Sequence, residues 1–461
     1  MRLTPHFFLV NDCDRILLFP NKGLKKWPGN SKRKAFSIVK EPFSPHSRTD
    51  ILILGGGVIG LFCAYYLNQA GFSVRVIERK GIGESASAGN CGIIFPSFIS
   101  PLCEPGVIFH EIRRMLEGNS PLYIHPVPEI RRTLWLMNFA MHCTERHRNH
   151  AMGVKARMLE ASDALYREIF KKEPIRCEYE QRGILIVYND PQEMAGYHAT
   201  NERLKHYGLA ARLIEGKELQ NLEPALSTKV AGAWYHGLDS HLRPDALLIF
   251  LKKILEQRGV RIEEHSPMDS WILEEGRIRG VNTAKGPFFT SRAVVLSAGA
   301  WSTAISKPLG IPIPMEPGKG YAITMGRPSP CAAHPLYLHE RNVVVTPWES
   351  GVRLGGTMEF SGFSLAPNPR RVKALATAAS EYLISPLAAP VETIWTGLRP
   401  MTFDDLPIIG KAPGWRNLFV ATGHGMLGLS MAPATGKLVA DTVTGRSSFM
   451  DPAPFSLERF R

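Results

Sequence analysis

Residues 49–79 place the strongest limit on what this chain can fold into. Residues 51–54 are an apolar run, GGGVIG follows at 55–60, and a helical pattern leads to a second apolar run at 73–77 that ends in Glu78. This order is typical of a strand, a tight glycine turn, a helix and a second strand. Two strands joined by a helix lie parallel in one sheet, so an α/β fold is expected.

The glycine turn has the spacing of a phosphate-binding loop. Gly55 allows the tight turn, Gly57 lets a pyrophosphate approach the backbone, and Gly60 lets the helix lie close to the sheet. Glu78, 18 residues after Gly60, stands where a carboxylate accepts both hydroxyls of an adenosine ribose. The residues expected at this dinucleotide are Gly55, Gly57, Val58, Ile59, Gly60, Glu78 and Arg79. FAD and NAD share the ADP half, so the unit alone leaves both open.

The net charge of +13 is concentrated at the start of the chain, where residues 1–49 hold ten Lys or Arg against three acids. The mild excess in the remainder argues against nucleic-acid binding by the folded part. Residues 1–48 have no apolar periodicity, no secretory core and no transit-peptide composition, so we expect a disordered basic extension. A misplaced start codon would explain this segment equally well.

The seven cysteines include no CxxC pair, which suits reduced thiols in the cytoplasm and predicts no metal site. No run of 18 apolar residues exists, so no transmembrane helix is expected. Residues 129–154 read as one helix with an apolar face and four arginines. Two interpretations stay open for it: a helix packed on a sheet with a solvated basic side, or peripheral attachment to the inner face of an anionic membrane.

The rest of the chain predicts a second sheet inserted into the nucleotide-binding domain. The loop that follows Glu78 is long and polar, and its Ser87 and Asn90 can reach a cofactor. The nucleotide-binding domain is expected to comprise residues 49–104, 206–303 and 395–461. The substrate domain is expected to comprise residues 105–205 and 304–394, first mostly helical and then β-rich.

Four further motifs carry a family resemblance: SAGNCGIIFPS, LSAGAWS, GLRPMTFDDLPIIG and NLFVATGHGMLGLSMAPATGKLVAD. With GGGVIG and Glu78, their order and spacing resemble the D-amino-acid oxidase superfamily of FAD flavoproteins, from about residue 49 to the C-terminus. Within it, they most resemble the bacterial D-amino acid dehydrogenase small-subunit type. The resemblance implies a discontinuous Rossmann-like FAD-binding domain, an inserted α+β substrate domain with a mixed or antiparallel sheet, and noncovalent FAD.

The resemblance also assigns residues to the cofactor. Asn90 matches the loop near the flavin, and Ala298 and Gly299 match a strand end against the cofactor. Met268 stands where the family usually has a valine whose backbone contacts adenine. The turn before the last helix would direct backbone N–H groups to the flavin's pyrimidine edge, with His424 either assisting or serving as a structural donor; its residues are Gly423, His424, Gly425, Met426, Leu427 and Gly428.

Arg399 matches an arginine that binds the substrate carboxylate in related glycine oxidases, and a planar guanidinium suits that task. A structural ion pair with Asp404 or Asp405 is the alternative. Further candidates for substrate contact are Tyr321, Tyr337 and His339. Those oxidases carry a second arginine where this chain has Met426, which weakens them as close models.

The expected activity is FAD-dependent oxidation of D-amino or cyclic imino acids, of the D-alanine, D-proline or D-hydroxyproline type. The flavin takes a hydride from the α-carbon, so no catalytic side chain is demanded. A quinone or another carrier would accept the electrons. The alternatives are a glycine or sarcosine oxidase that uses dioxygen and a tRNA-modifying flavoprotein.

Overall fold

The predicted strand–turn–helix–strand unit opens the described part of the chain. The computed structural model describes residues 48–116, 122–127, 129–386 and 390–461. Strand β1 (Arg48–Leu54) leads through the glycine turn into α1 (Val58–Gln69), and β2 (Val74–Ile77) lies parallel to β1. The extension expected at residues 1–48 lies outside the described residues, apart from Arg48 at the start of β1.

The other elements follow in chain order. The strands are β3 (Ile93–Ile94), β4 (Leu122–Ile124), β5 (Ile184–Tyr188), β6 (Arg212–Ile214), β7 (Gly232–His236), β8 (Ser240–His241), β9 (Arg261–Glu263), β10 (Met268–Glu274), β11 (Arg277–Thr283), β12 (Gly286–Leu296), β13 (Met315–Met325), β14 (Leu336–Leu338), β15 (Val343–Trp348), β16 (Gly351–Phe360), β17 (Val391–Thr402), β18 (Ile408–Lys411) and β19 (Leu418–Thr422). The helices are α2 (Val107–Leu116), α3 (Ile130–His142), α4 (Glu145–Lys172), α5 (Pro191–Lys205), α6 (Gly216–Leu222), α7 (Pro244–Gln257), α8 (Ser302–Ser306), α9 (Pro369–Ser380) and α10 (Gly428–Thr444).

The first sheet is the expected Rossmann-like sheet. Its strand order is β10-β11-β12-β1-β2-β9, and β19 pairs with the end of β12 and with β18. The strands β19, β12, β1, β2 and β9 are parallel to their neighbours, while β10, β11 and β18 add antiparallel edges. Helices α1, α4, α7 and α10 cover one face and share the largest apolar core. Ligands of such sheets bind at the carboxyl ends of the parallel strands.

The second sheet is mixed, in agreement with the expectation. Its order is β17-β13-β16-β15-β14-β5-β7-β6, and β4 pairs with the end of β16. The β14–β5 and β16–β4 pairs are parallel, and the others are antiparallel. Helix α9 packs on one face of this sheet over its own apolar cluster.

Sheet membership differs from the predicted domain boundaries at two places. Strands β6 and β7 fall in 206–303, which we assigned to the nucleotide-binding domain, but they pair with β5 in the second sheet. Strand β17 spans the predicted boundary at 394/395 and pairs with β13 along its length. A division drawn by sheet would therefore move both segments to the substrate side.

The single helix expected over 129–154 is two helices. Helix α3 ends at His142, and Thr144 caps α4 because its hydroxyl accepts the N–H of His147 at 3.2 Å. Threonine is a preferred N-cap residue, so Thr144 is a signal for the start of a new helix. The apolar periodicity that continues across Thr144 made the two helices look like one. The break separates two roles, because α4 packs in the main core while Trp135 of α3 joins a smaller cluster beside the second sheet.

Candidate functional site

One large cavity, about 910 Å³, lies where the carboxyl ends of β1, β2, β12 and β19 meet the second sheet. Its lining includes Leu54, Ile77, Ser297 and Ala421 from these strand ends and residues of β13, β16 and β17 opposite them. The volume is at the upper end of the range of about 300–1,000 Å³ usual for ligand sites. The cavity can therefore hold an extended cofactor together with a small substrate.

The glycine turn shapes one end of this cavity. Gly55 has a φ of +110°, and a Cβ built on it would lie 2.5 Å from the carbonyl oxygen of Ser297. Gly60 does not line the cavity, because it lies below the turn, where a Cβ would overlap the carbonyl oxygen of Gly55. Gly57, Val58 and Ile59 do line it. Residues 57–59 at the start of α1 thus lie at the cavity.

Glu78 keeps acceptor capacity for a ligand. Its two carboxylate oxygens accept the N–H of Gly56 at 2.7 Å and the N–H of Lys80 at 2.9 Å. The side chain is buried and lines the cavity. A carboxylate has about four acceptor positions, so two backbone bonds orient it and leave lone pairs for hydroxyl donors.

The other residues predicted at this end also line the cavity. Arg79 lies over the ring of Trp301, with 4.4 Å from Cζ to the ring centroid. Met268 begins β10, and Ala298 and Gly299 follow the end of β12, with Gly299 at a φ of +54°. Met268 and Ala298 add apolar surface to the lining of the cavity.

The loop after β2 is held from both sides. The hydroxyl of Ser87 accepts the N–H of Val58 at 3.0 Å and so satisfies one of the free N–H donors in the first turn of α1. Asn90 accepts the N–H of Gly92 through its side chain at 2.7 Å. Arg353 of β16, which the sequence reasoning missed, donates from Nη1 to the carbonyls of Ala88 and Asn90, both at 2.7 Å. An arginine in an alternating strand gives no signal for this role.

The turn before α10 reaches the cavity with residues 424–428, whereas Gly423 lies behind it. His424 is buried, and burial lowers its pKa to about 3. Its Nε2 lies 2.9 Å from the hydroxyl of Thr435, which itself donates to the carbonyl of Met431. The Thr435 oxygen must therefore accept, and His424 is a neutral structural donor. Of our two interpretations of His424, the geometry supports this one.

Arg399 lies at the cavity on β17 and is half-buried. Its Nη1 donates to the carbonyl of Thr357 at 2.8 Å and lies 3.8 Å from the Met358 sulfur. Asp404 and Asp405 pair instead with Arg459 at 2.7 Å and with Lys155 at 2.8 Å. Within the described ranges, no carboxylate lies within 4.0 Å of this guanidinium. The alternative of a structural ion pair with these aspartates is therefore wrong.

The backbone around Arg399 is shaped to receive it. Thr357 has a φ of +68°, which is unusual for a β-branched residue. The register of β13 and β16 shifts between Lys319 and Tyr321, so β16 bulges at this point. Opposite it, a Cβ on Gly320 would lie 2.5 Å from the guanidinium carbon. Arg399 thus lies flat over a glycine and is held by a carbonyl that the bulge turns toward it.

The three other substrate candidates differ in position. Tyr321 contributes to the lining, but its ring belongs to the α9-side core and its hydroxyl donates to Glu359 at 2.6 Å. Tyr337 lines the cavity and donates to Asn342. His339 is not part of the lining; its ring stacks on Tyr188 at 4.5 Å and its Nε2 lies 3.4 Å from Glu193. The structure therefore does not bring His339 to the site.

An apolar wall extends from Arg399, and the sequence reasoning did not find it. Its members, from β4, α3, β16 and β17, all line the cavity: Leu122, Ile124, Trp135, Leu136, Phe139, Met358, Phe360 and Met401. The indole of Trp135 donates to the carbonyl of Met401 at 3.0 Å. No group of three or more His, Cys, Asp or Glu that could hold a metal occurs in the described part of the chain.

Comparison with known proteins assigns the chain to a protein family. A family model described as FAD dependent oxidoreductase, DAO, matches residues 50–442, which is most of the chain. The chain belongs to the DAO family. It is therefore an FAD-dependent oxidoreductase.

Related proteins cover nearly the same length as this DAO-family member. A D-amino acid dehydrogenase from Methylobacterium sp. (strain 4-46) is 31% identical over 422 residues, covering 89% of this chain and 99% of the relative. A D-amino acid dehydrogenase from Methylobacterium nodulans is 32% identical over 408 residues, covering 86% and 96%. These relatives support the resemblance found in the motifs.

Solved structures share the fold. Glycine oxidase from Geobacillus kaustophilus aligns with a TM-score of 0.70 at 22% identity, covering 89% of this chain and 98% of that one. L-proline dehydrogenase from P. horikoshii aligns with a TM-score of 0.69 at 20% identity, covering 90% and 98%. At these identities the likeness concerns the fold alone, and it agrees with the expected Rossmann-like and inserted sheets.

The cavity of this DAO-family member fits FAD. The open backbone at Gly57, the spare acceptor positions of Glu78 and the room at Gly299, where a Cβ would meet no atom within 4 Å, match an extended dinucleotide. Noncovalent binding stays a prediction. None of the described helices is long and apolar enough to cross a bilayer.

Proposed function

We propose that this chain is an FAD-dependent dehydrogenase of D-amino acids or cyclic imino acids. The observation that carries the proposal is Arg399, a cavity cation without a carboxylate partner among the residues the structure describes. Removing a guanidinium from water is costly unless an anion meets it, and burial lowers the pKa of Arg399. A substrate carboxylate supplies that anion, with two parallel hydrogen bonds.

The remaining roles follow from position. The turn at Gly55–Gly57 and the start of α1 would bind the pyrophosphate, and Glu78 the ribose. Met268, Ala298 and Gly299 would enclose the adenosine half. The N-terminus of α10 presents backbone N–H groups and the positive end of the helix dipole at the cavity, and so favours negative charge beside it.

Bound FAD supplies the two-electron acceptor for the α-carbon hydrogen of the amino acid. The protein's part is to bind and orient. Arg399 fixes the carboxylate end, and Thr357 and Gly320 hold the guanidinium in one plane. Neutral His424 supplies no charge, so its titration should not shape the pH profile above its pKa of about 3.

The choice of D-amino acids rests on the two curated relatives, which are named as D-amino acid dehydrogenases. The test is an anaerobic substrate panel monitored by bleaching of the flavin absorbance. D-alanine, D-proline or D-hydroxyproline should bleach the flavin, and their L-forms, glycine and sarcosine should not. Preferential bleaching by glycine or sarcosine would instead support the small-amine oxidase. A panel without any bleaching would refute amino-acid oxidation of this type.

For the electron acceptor, we propose a quinone in an anionic membrane surface. Helix α3 bears exposed apolar side chains at helical spacing on its outer face: Ile130 (77% exposed), Leu134 (53%), Met137 (58%) and Met141 (65%). Exposed Arg131 lies on the same helix, and exposed Arg146 lies at the start of α4. Apolar side chains flanked by arginines are typical of a surface that inserts between anionic headgroups.

We therefore expect turnover with a long-chain quinone in anionic vesicles to depend on α3. The double variant Leu134→Asp, Met141→Asp should reduce kcat/KM with this acceptor about tenfold or more, because two charges on the inserting face oppose burial. Activity with a short-chain, water-soluble quinone should not change, since neither residue lines the cavity. Equal losses with both quinones, or equal rates in dioxygen without any quinone, would contradict the acceptor assignment.

A further inference from the structure

The apolar wall beside Arg399 indicates which substrate side chains the cavity can bind. We infer that it is the binding site for the substrate's side chain and that it selects D-amino acids with bulky aliphatic or aromatic side chains over small or charged ones. This inference rests on the proposed function, because it takes the carboxylate to bind at Arg399.

Arg399 lies next to the apolar wall. The guanidinium Nη1 of Arg399 lies 3.8 Å from the Met358 sulfur, and Met358 packs against the cluster of Trp135 and Phe360. Met401, two residues after Arg399 on β17, belongs to the same cluster. A ligand held by its carboxylate at Arg399 therefore has this cluster as its neighbour within the cavity.

The wall is built from aromatic and aliphatic side chains that pack on one another. The rings of Trp135 and Phe139 stack at 5.4 Å, and those of Trp135 and Phe360 lie 5.2 Å apart. Leu122 and Ile124 of β4 are in register with Met358 and Phe360. The indole of Trp135 donates to the carbonyl of Met401 at 3.0 Å, and the Met358 sulfur lies 3.8 Å from Nη1 of Arg399. The described wall thus offers aromatic and aliphatic surface.

The apolar wall contains no charged side chain among its named members. The charged residues of the described lining other than Arg399 are Glu78, Arg79, Lys80, Glu84 and Glu111. The first four lie on the loop at the end of β2, next to the glycine turn, and Glu111 pairs with Arg114 at 3.4 Å on α2. None belongs to the wall. A substrate side chain with a carboxylate or ammonium would lose water there without gaining a partner.

Apolar pockets discriminate between substrates by the apolar surface that they bury. One additional methylene can change kcat/KM by about 10- to 200-fold. We therefore expect kcat/KM for D-phenylalanine and D-leucine to exceed that for D-alanine by about tenfold or more. D-aspartate and D-lysine should be poorer substrates than D-alanine. This holds even though D-aspartate has a second carboxylate, in its side chain, that could bind Arg399.

The decisive variant is Phe139→Ala, which shortens the wall. It should lower kcat/KM for D-phenylalanine about tenfold or more and leave that for D-alanine within about twofold, because the small substrate does not reach the ring. Ile249→Ala, at a 59% exposed position of α7 that does not line the cavity, is the control and should change neither. Phe139→Leu should recover much of the loss, and flavin content will show whether each variant is folded.

A second readout does not depend on turnover. Phenylpropionate and propionate, which lack the amino group, should both perturb the flavin spectrum of the oxidised holoenzyme. Phenylpropionate should bind about tenfold more tightly, and Phe139→Ala should remove that advantage. Equal affinities, or turnover of D-alanine that matches or exceeds D-phenylalanine, would overturn the wall's role while the dehydrogenase stands. Flavin bleaching by no D-amino acid at all would instead refute the proposed function.

Discussion

Arg399→Lys should lower kcat/KM for amino acids about ten- to hundredfold while FAD stays bound. A lysine point charge cannot form the two parallel bonds of a guanidinium with a carboxylate, and the lost pair is worth roughly 1.5–3 kcal/mol. It also cannot lie flat over Gly320 while donating to the Thr357 carbonyl, as Arg399 does at 2.8 Å. Nothing in the described turn at Gly55 or at Glu78 depends on this side chain, so the flavin content should not change.

The kinetic form of this loss is informative. Because the carboxylate is held in the ground state and the transition state alike, most of the effect should appear as a raised KM. Stopped-flow bleaching of the flavin against substrate concentration separates KM from the bleaching rate. Arg341→Lys is a suitable control, since Arg341 forms a partly exposed pair with Glu381 at 2.7 Å. Wild-type saturation in Arg399→Lys would make Arg399 structural, and Tyr337 would become the next candidate.

Gly60→Ala should abolish FAD binding or folding altogether. A Cβ at this position would overlap the Gly55 carbonyl oxygen and would lie 2.9 Å from the Ser297 hydroxyl. The neighbour is backbone, so relief would require α1 to move away from the turn that it helps to form. The measurement is the FAD released into the supernatant after acid precipitation, compared with the wild type. Flavin that stayed on the precipitated wild-type chain would contradict noncovalent binding.

Gly196→Ala is the matched control for that experiment. Gly196 is an exposed interior residue of α5, and a Cβ there would meet no atom within 4 Å. Alanine should therefore stabilise the protein by about 1 kcal/mol, as is usual for glycine replacement inside a helix, and leave the flavin in place. Wild-type flavin content in Gly60→Ala would show that α1 can shift, and the close contact at the turn would not limit cofactor binding.

Sequence reasoning found the cofactor half of the site because its chemistry is local. The turn at Gly55–Gly60, its two strands and Glu78 all lie in the continuous segment 48–78, and the spacing within it predicts the geometry. Arg399 was found through a short motif on one strand. The second sheet was expected from its alternating patterns, but the place of β6 and β7 in it depends on pairings between distant segments that periodicity does not encode.

The parts that escaped prediction depend on tertiary contacts. His339 has the residue type and segment of a substrate contact, yet it turns toward Glu193 and Tyr188 on α5 and β5. The positive φ of Thr357 has no sequence signal, because threonine is not the residue expected there. The aromatic face of α3 looked like ordinary core packing, since the pattern cannot tell a core from the wall of a cavity.

The hydrogen bonds from Arg353 to the loop after β2 affect the order in which parts of the protein fold. Arg353 is carried by β16, and it reaches the carbonyls of Ala88 and Asn90, 265 and 263 residues away in sequence. Closing so long a separation is slow compared with forming the local turn at Gly55. During refolding, the turn at Gly55 can form locally, whereas the loop should acquire its final shape only when β16 has paired. The rate of flavin binding during refolding would then report when the second sheet is complete.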